Sequence, residues 1–343
     1  MKALVLNEYK SLVLQDEPAP AIAPNEVLIR VHSCGICGSD VHGFDGSSGR
    51  RIPPVIMGHE ASGVIAELGA DVEGFAKGDR VTFDSMISCR NCYFCRKGQP
   101  NLCDNRRVLG VSCGEYRRNG AFAEFVNVPS HIVFHVPDDV TFEQAAMVEP
   151  VSVAVHAVNI TPITLGDTAV VIGAGMIGLL TLQAARAAGC ARVISVDLAD
   201  DRLALAKKLG ANQTINSGNT DVVAAVRAMT EGRGADVVFE AVGATPTVKM
   251  AIESTRKGGV VTLIGNVTPT IDFGLQSVVT REVSVLGSCA SSNDYAACLK
   301  LIASGAIRVD DMISATVPLE RGAEMFDRLY AKEANLTKVI LQP

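Results

Sequence analysis

Two sequence rhythms, one after the other, predict a mixed α/β protein: a β-rich first part followed by a doubly wound parallel sheet. The first observation is a change of pattern near Glu149. Before it, short runs at 3–6, 26–31, 62–68 and 121–128 mix apolar and polar positions between Gly, Pro or Asn, as in a barrel-like or folded sheet. After it, apolar β-branched runs alternate with Ala-rich helical stretches, the pattern of βαβ units. The second observation is the glycine-spaced turn Gly173-Ala-Gly175-Met-Ile-Gly178, set between a strand pattern and a helix pattern. The third is length. At 343 residues the chain exceeds one ordinary core, so two domains are expected.

Taken in order, the second part offers strands at 168–172, 192–196, 236–239, 260–264 and 283–286, with helices between them and one at 179–188. The last segment offers helices at 293–303 and 319–330 and a closing strand at 337–341. Apolar residues make up 48% of the chain and charged residues 20%, the balance of a globular protein rather than a disordered one. The net charge of −6 carries no electrostatic footprint for nucleic acid or an anionic membrane. No apolar run has the length of a bilayer span, and the residues from Met1 read as an alternating strand rather than a secretion signal, so a cytoplasmic location is expected. Ten cysteines, several two residues apart, then point to metal rather than to disulfides.

The chemistry concentrates between Cys34 and Glu60. Cys37, His59 and Glu60 supply a thiolate, an imidazole and a carboxylate, a ligand set suited to catalytic zinc with a fourth position open to water or substrate. A second cluster, Cys89, Cys92, Cys95 and Cys103, has the spacing C-x2-C-x2-C-x7-C. Four thiolates close a tetrahedral shell, so this is read as a structural zinc site, with an iron–sulfur cluster as the alternative. Cys113, Cys190, Cys289 and Cys298 lack such spacing and are expected to be small buried hydrophobes.

The turn at Gly173, Gly175, Met176, Ile177 and Gly178 has the form of a dinucleotide loop. Its glycines permit a tight turn, close approach to a pyrophosphate, and packing of helix on strand. Asp197 ends the next strand at the distance expected of the acid that binds the adenosine ribose. It would repel a 2′-phosphate, which favours NAD over NADP, while Arg202 offers a cation beside the adenosine.

With these residues in hand the chain resembles the zinc-dependent medium-chain alcohol dehydrogenases, in the polyol and sugar-acid branch that includes sorbitol, threonine and galactitol-phosphate dehydrogenases. The resemblance runs over essentially the whole length. It rests on 35–42, Gly58-His59-Glu60, the four-cysteine loop, 120–124, Val148-Glu149-Pro150 and the glycine loop with Asp197. It implies a GroES-like catalytic domain over 1–150, a Rossmann domain over 151–288, and a return to the catalytic domain over 289–343, with the active site in the cleft between them. It implies Cys37 and His59 as ligands of a catalytic zinc, with Glu60 or Glu149 as a further ligand and the other held behind a bound water. Ser39 and His42 resemble the family's proton relay, and Asp40 would orient the shell around Cys37. Val242, Ile264, Gly265 and Ser288 fall in loops that the family uses around the nicotinamide.

The activity implied is transfer of a hydride from a secondary hydroxyl of a polyol, sugar acid or sugar phosphate to NAD. Zinc lowers the pKa of that hydroxyl, and the proton leaves through Ser39, a cofactor ribose hydroxyl and His42. Two zinc ions per chain and a homodimer or homotetramer, built through the strand at 283–286, are implied as well. The chain lacks, around Ala290-Ser291, the Arg-Tyr pair that animal sorbitol dehydrogenases use on the polyol, so the particular substrate stays open. Tyr116, Arg117 and Arg118 offer a contact for a phosphorylated or carboxylated sugar, or are a solvated loop. His32, His131, His135 and His156 match no motif and are expected to be structural. The competing readings are an amino-alcohol dehydrogenase of the threonine type, a quinone reductase of the same fold, and a non-enzymatic NAD-binding protein. The complete set Cys37, Ser39, His42, His59 and Glu149 speaks against the last.

Overall fold

The structure, a computed structural model, describes residues 1–113, 116–333 and 336–343. The chain forms two compact units: Met1–Glu149 with Tyr295–Ala303 and Val309–Pro343, and Pro150–Asp294 with Ser304–Arg308.

The first unit is β-rich. Its main sheet runs Val133–His135, Arg80–Phe83, Glu60–Leu68, Glu26–Gly35, Val339–Gln342, Ala315–Pro318, and Phe125–Pro129 also pairs with Glu26–Gly35. The long central strand Glu26–Gly35 is buried at eight of its ten positions, and Phe125–Pro129 and Glu60–Leu68 pair along its edges. Lys2–Glu8 and Ser11–Asp16 form a hairpin on which Val55–Ile56 docks. Ala3, Leu4, Leu6, Ile29, Met57, Phe83, Phe122 and Phe326 fill one shared core. At 121–128 the predicted strand begins only at Phe125. The residues before it are spent on the loop at 56–58: Gly120, Ala121 and Phe122 donate backbone N–H groups to Ile56, Gly58 and Met57. A Cβ on Gly120 would lie 2.1 Å from the Gly58 carbonyl oxygen, so glycine is required where these two chains touch.

The second unit is a six-stranded parallel sheet in the order Gln213–Asn216, Arg192–Asp197, Thr168–Ile172, Ala235–Glu240, Thr255–Leu263, Ser284–Gly287. The strand order reverses between Thr168–Ile172 and Ala235–Glu240, which opens a crevice at the carboxyl ends of these two strands. Val170, Ile172, Ile194, Val238 and Val261 are buried, as strands covered on both faces require. Ser284–Gly287 is the edge of the sheet, and three of its four residues are exposed.

Three of the four lone histidines have structural partners. His32 stacks on Phe142, His135 stacks on Phe75, and His156 Nδ1 lies 3.2 Å from Asp294. Cys190 and Cys298 are buried as expected, whereas Cys289, beyond the edge strand, is only partly covered. The Cys113 side chain lies outside the described ones. Among the described residues no helix is long and apolar enough to cross a membrane.

Candidate active site

Register brings the first cluster together. In the antiparallel pair of central strands Gly35 faces Glu60, so the chain just past Gly35 meets the chain just before Glu60. A Cβ at Gly35 would lie 2.3 Å from Glu60 Oε2, which explains glycine there. The ligand atoms of Cys37, His59 and Glu60 all lie within 4.8 Å of one another, as donors around one small cation must.

Cys37 and Glu60 have hydrogen-bond partners of their own, and His59 lies against Asp40. Cys37 caps the helix Gly38–Phe44, and its Sγ accepts from Ser39 N at 3.4 Å and Ser39 Oγ at 3.3 Å. Asp40, fully buried, accepts from Arg51 Nη2 at 2.8 Å and Nε at 3.2 Å. His59 Nδ1 sits 3.4 Å from Asp40 Oδ1 but is not aligned to bond it, which leaves a buried ring nitrogen without a hydrogen-bond partner. A carboxylate behind one imidazole nitrogen turns the other toward a metal. Burial alone would raise the Asp40 carboxyl, but His59 and Arg51 hold it well below the usual range. Burial likewise works against charge on His59, yet Asp40 and Cys37 raise its pKa well above the ordinary imidazole value. The pocket is therefore rich in negative charge, which a divalent cation would neutralise.

Glu60 has a partner that the sequence did not reveal. Lys338, at the start of the strand Val339–Gln342, donates to Glu60 Oε2 at 2.5 Å and to the Ile36 carbonyl at 3.1 Å, with both side chains buried. Burial lowers the Lys338 ammonium, and the Glu60 carboxylate more than reverses this. Glu149 stands apart from the three donors. Its Oε1 accepts from Ser85 Oγ at 3.2 Å, and Ser85 N in turn donates to the buried Tyr295 hydroxyl at 3.3 Å. Although its edge still meets solvent, close packing pushes the Glu149 carboxyl up to about 6, with Glu60 adding to the rise and His59 opposing it. Ser39 and His42 are both exposed on one short helix, and Ser39 Oγ also accepts from Arg51 Nη2 at 3.3 Å.

The four cysteines of the second cluster also converge within 4.8 Å. Backbone N–H groups point at sulfur, from Cys89 to Cys103 Sγ at 3.2 Å and from Cys92 to Cys89 Sγ at 3.3 Å, as in a turn shaped around thiolates. The amides of Asn91 and Cys92 draw the Cys89 thiol down to about 6, while burial pushes Cys103 up to about 12. Zinc would hold all four as thiolates.

In the second unit the glycine loop has the form a pyrophosphate needs. Gly173 has φ +94°, and a Cβ at Gly178 would lie 1.7 Å from the Gly173 carbonyl oxygen, so only glycine lets the helix Met176–Ala187 start so close. Met176 and Ile177 form its first turn beyond the Gly175 cap. Asp197 Oδ2 accepts from Ala174 N at 2.7 Å, and Oδ1 accepts from Leu198 N and Ala199 N at 2.8 and 3.0 Å. The acid thus fixes the loop through three backbone donors. Arg202 reaches only 4.0 Å from Asp197 and is half exposed, a weak pair. Val242, Ile264, Gly265 and Ser288 all follow strand ends on this side of the sheet. Ser288 Oγ is buried without a hydrogen-bond partner.

Tyr116, Arg117 and Arg118 are spoken for. Arg118 Nη2 pairs with Glu26 at 2.8 Å, Arg117 donates to the Ile52 carbonyl, and the Tyr116 hydroxyl donates to the Val108 carbonyl. All three side chains thus have partners within the fold.

A thiolate, imidazole and carboxylate around one cation position, and a dinucleotide loop at a switch point, define a metal-dependent dehydrogenase. Comparison gives the family. The chain matches the alcohol dehydrogenase GroES-like domain over residues 23–138 and the zinc-binding dehydrogenase domain over 177–304. It is 32% identical to a sorbitol dehydrogenase of Bacillus subtilis, over 100% of this chain and 97% of that protein. It is 37% identical to an L-idonate 5-dehydrogenase of Vitis vinifera, over 89% and 84% of the two chains. A solved zinc-binding dehydrogenase structure from Sinorhizobium meliloti, bound to NADP, superposes with a TM-score of 0.92 at 33% identity, covering 100% of this chain and 99% of that one. This protein belongs to the zinc-binding alcohol dehydrogenase family, in its polyol dehydrogenase branch, and is an oxidoreductase.

Proposed function

We propose that the chain oxidises a secondary hydroxyl of a polyol, sugar acid or sugar phosphate, with NAD as hydride acceptor and a zinc ion held by Cys37, His59 and Glu60. The observation that carries this reading is the convergence of those three donors within 4.8 Å. The curated relatives, which act on sorbitol and L-idonate by name, support the substrate class. When bound, zinc supplies the Lewis acidity that lowers the pKa of a substrate hydroxyl, and NAD supplies the hydride acceptor. The chain's residues do the rest. Ser39, anchored on the Cys37 sulfur, takes the proton released by the substrate, and exposed His42 passes it to solvent. Asp40 orients His59, and Arg51 keeps Asp40 charged. Glu149, held by Ser85 and outside the group of three donors, would serve as an acceptor behind a bound water rather than as a first ligand.

NAD is favoured over NADP because Asp197, fixed by three backbone amides, would face a 2′-phosphate with negative charge. The edge strand Ser284–Gly287, with Leu275 and Val279 exposed beside it in sequence, suits pairing with a second copy, so the protein works as a homo-oligomer. The ready-gathered thiols of Cys89, Cys92, Cys95 and Cys103 suit a reducing compartment such as the cytoplasm. Initial rates of NADH and NADPH formation across polyols, sugar acids, sugar phosphates and threonine test the reading. Turnover of a polyol, sugar acid or sugar phosphate with NAD supports it. Turnover of threonine alone, or a preference for NADP, overturns the corresponding part.

A further inference from the structure

A carboxylate that the proposed chemistry does not use sits where the strand Ala235–Glu240 ends. Glu240 is completely buried, yet it is neither a metal-site residue nor a surface charge. Its Oε1 accepts from Val242 N at 3.0 Å and Gly243 N at 2.9 Å, and its Oε2 lies 3.0 Å from the same Gly243 N. Its main-chain oxygen accepts from Ile264 N at 2.8 Å and Gly265 N at 3.1 Å. One residue therefore ties two turns together, the first through its side chain and the second through its backbone.

The two turns have no slack. Gly243 has φ +83°, and a Cβ on it would lie 2.3 Å from Asn266 N, while a Cβ on Gly265 would lie 2.2 Å from the Val242 carbonyl carbon. The Gly243 carbonyl is fixed in turn by Thr268, through N at 3.0 Å and Oγ1 at 2.7 Å. Val242 also leans on the glycine loop, its Cγ2 2.7 Å from where a Gly173 Cβ would stand. A buried carboxylate loses its hydration, which only strong hydrogen bonds from oriented donors can offset. Here the donors are the backbone of a turn at the carboxyl end of a strand, beside the switch point of the sheet. In such sheets the half of a dinucleotide that crosses the switch point away from the adenosine acid lies over these strand ends. The adenosine acid, Asp197, is on the strand two places away in the sheet.

We propose that Glu240 is the positioning residue of the nicotinamide half of the cofactor site, holding the turns at Val242-Gly243 and Ile264-Gly265 in the shape that receives the ring. The proposal rests on the reading that this unit binds a nicotinamide dinucleotide. It separates the two halves of the ligand. NADH spans both, whereas AMP occupies only the adenosine half held by Asp197.

The test compares Kd for NADH, by its own fluorescence, with Kd for AMP, by calorimetry, in the zinc-loaded full chain of wild type, Glu240→Gln and Glu240→Ala. The glutamine turns an amide N–H₂ toward a backbone donor but keeps one acceptor, so it should weaken NADH by about 3–10-fold, and the alanine by about 10–100-fold, with AMP within about twofold in both. Equal losses for NADH and AMP would mean a general loosening of the unit and would overturn the inference, as would an unchanged NADH affinity. Thr268→Val, which removes only the exposed hydroxyl bonded to Gly243, should weaken NADH by about 2–5-fold and leave AMP alone. If neither Glu240 variant folds, that variant decides, and unchanged NADH affinity there overturns the proposal. Failure of the wild type to bind NADH at all would refute the underlying dinucleotide reading instead.

Discussion

Replacing Lys338 by methionine removes the ammonium that pairs with Glu60 Oε2 and tests the electrostatics of the proposed zinc site. Lys338 and Glu60 are 3% and 1% exposed and 2.5 Å apart. Loss of one partner from a buried ion pair costs about 3–5 kcal/mol, because the remaining charge is left without compensation. For a domain of this size each kcal/mol is about 2–4 °C, so the protein emptied of its catalytic metal should melt lower by roughly 6–20 °C. With zinc in place the metal's own charge stands beside Glu60 and takes over the role of the ammonium. The loss should then fall to less than half. The assay is calorimetric melting of wild type and Lys338→Met, each with and without the catalytic metal and with the four-cysteine lobe loaded throughout. The stabilisation given by zinc should be larger in the variant. A variant that loses equally in both states would show that Glu60 is not a ligand and that the pair is a structural one only.

Three further outcomes are expected. Arg118→Gln should cost about 1–3 kcal/mol at pH 7 without changing KM for the substrate. Burial works to raise the Glu26 carboxyl, but Arg118 and its other donors bring its folded pKa below the ordinary glutamate value of 4.5, so this stability is present above pH 4.5 and is lost as pH falls through the folded value. Denaturant midpoints of the two proteins should therefore converge below that pH, and a gap that persisted there would contradict the assignment. His42→Ala should lower kcat by about 10-fold or more at neutral pH, with partial recovery in imidazole buffer; full activity without added base would remove His42 from the relay. Cys92→Ser should reduce bound zinc from two ions to one per chain by metal analysis, and retention of both would refute the four-thiolate site.

What the sequence made legible was what is local. The spacing Cys89, Cys92, Cys95, Cys103 and the turn Gly173 to Gly178 each fold within one loop, so residue type and distance along the chain suffice. Strand 168–172 was placed to the residue because a fully buried parallel strand is a short uniform run. Lys338 could not be found this way. It meets Glu60 only because the strand Val339–Gln342 pairs with Cys34 and Gly35, and nothing around Lys338 in the chain signals a buried cation. Glu240 was hidden for a related reason: a glutamate at a strand end looks like a solvated one until its N–H donors fold back on it. Arg118 could not be read from the sequence either: an arginine in a polar loop leaves a ligand contact or a solvated face open, and its partner Glu26 is distant in the chain. The segment at 121–124 has a strand's composition but docks on the loop at 56–58, so tertiary contact overrode local preference.

The most direct test of the central claim is a zinc titration of hydride transfer. Metal-free protein would be given zinc in steps while NADH formation from the best polyol or sugar acid is followed, in wild type and in Cys37→Ser. In wild type, activity should be absent without metal and should reach its maximum at two zinc per chain, the ion at Cys37, His59 and Glu60 being required. Cys37→Ser, with the four-cysteine lobe still loaded, should stay inactive at the same loading. Turnover by metal-free protein, or undiminished turnover by Cys37→Ser, would contradict the account.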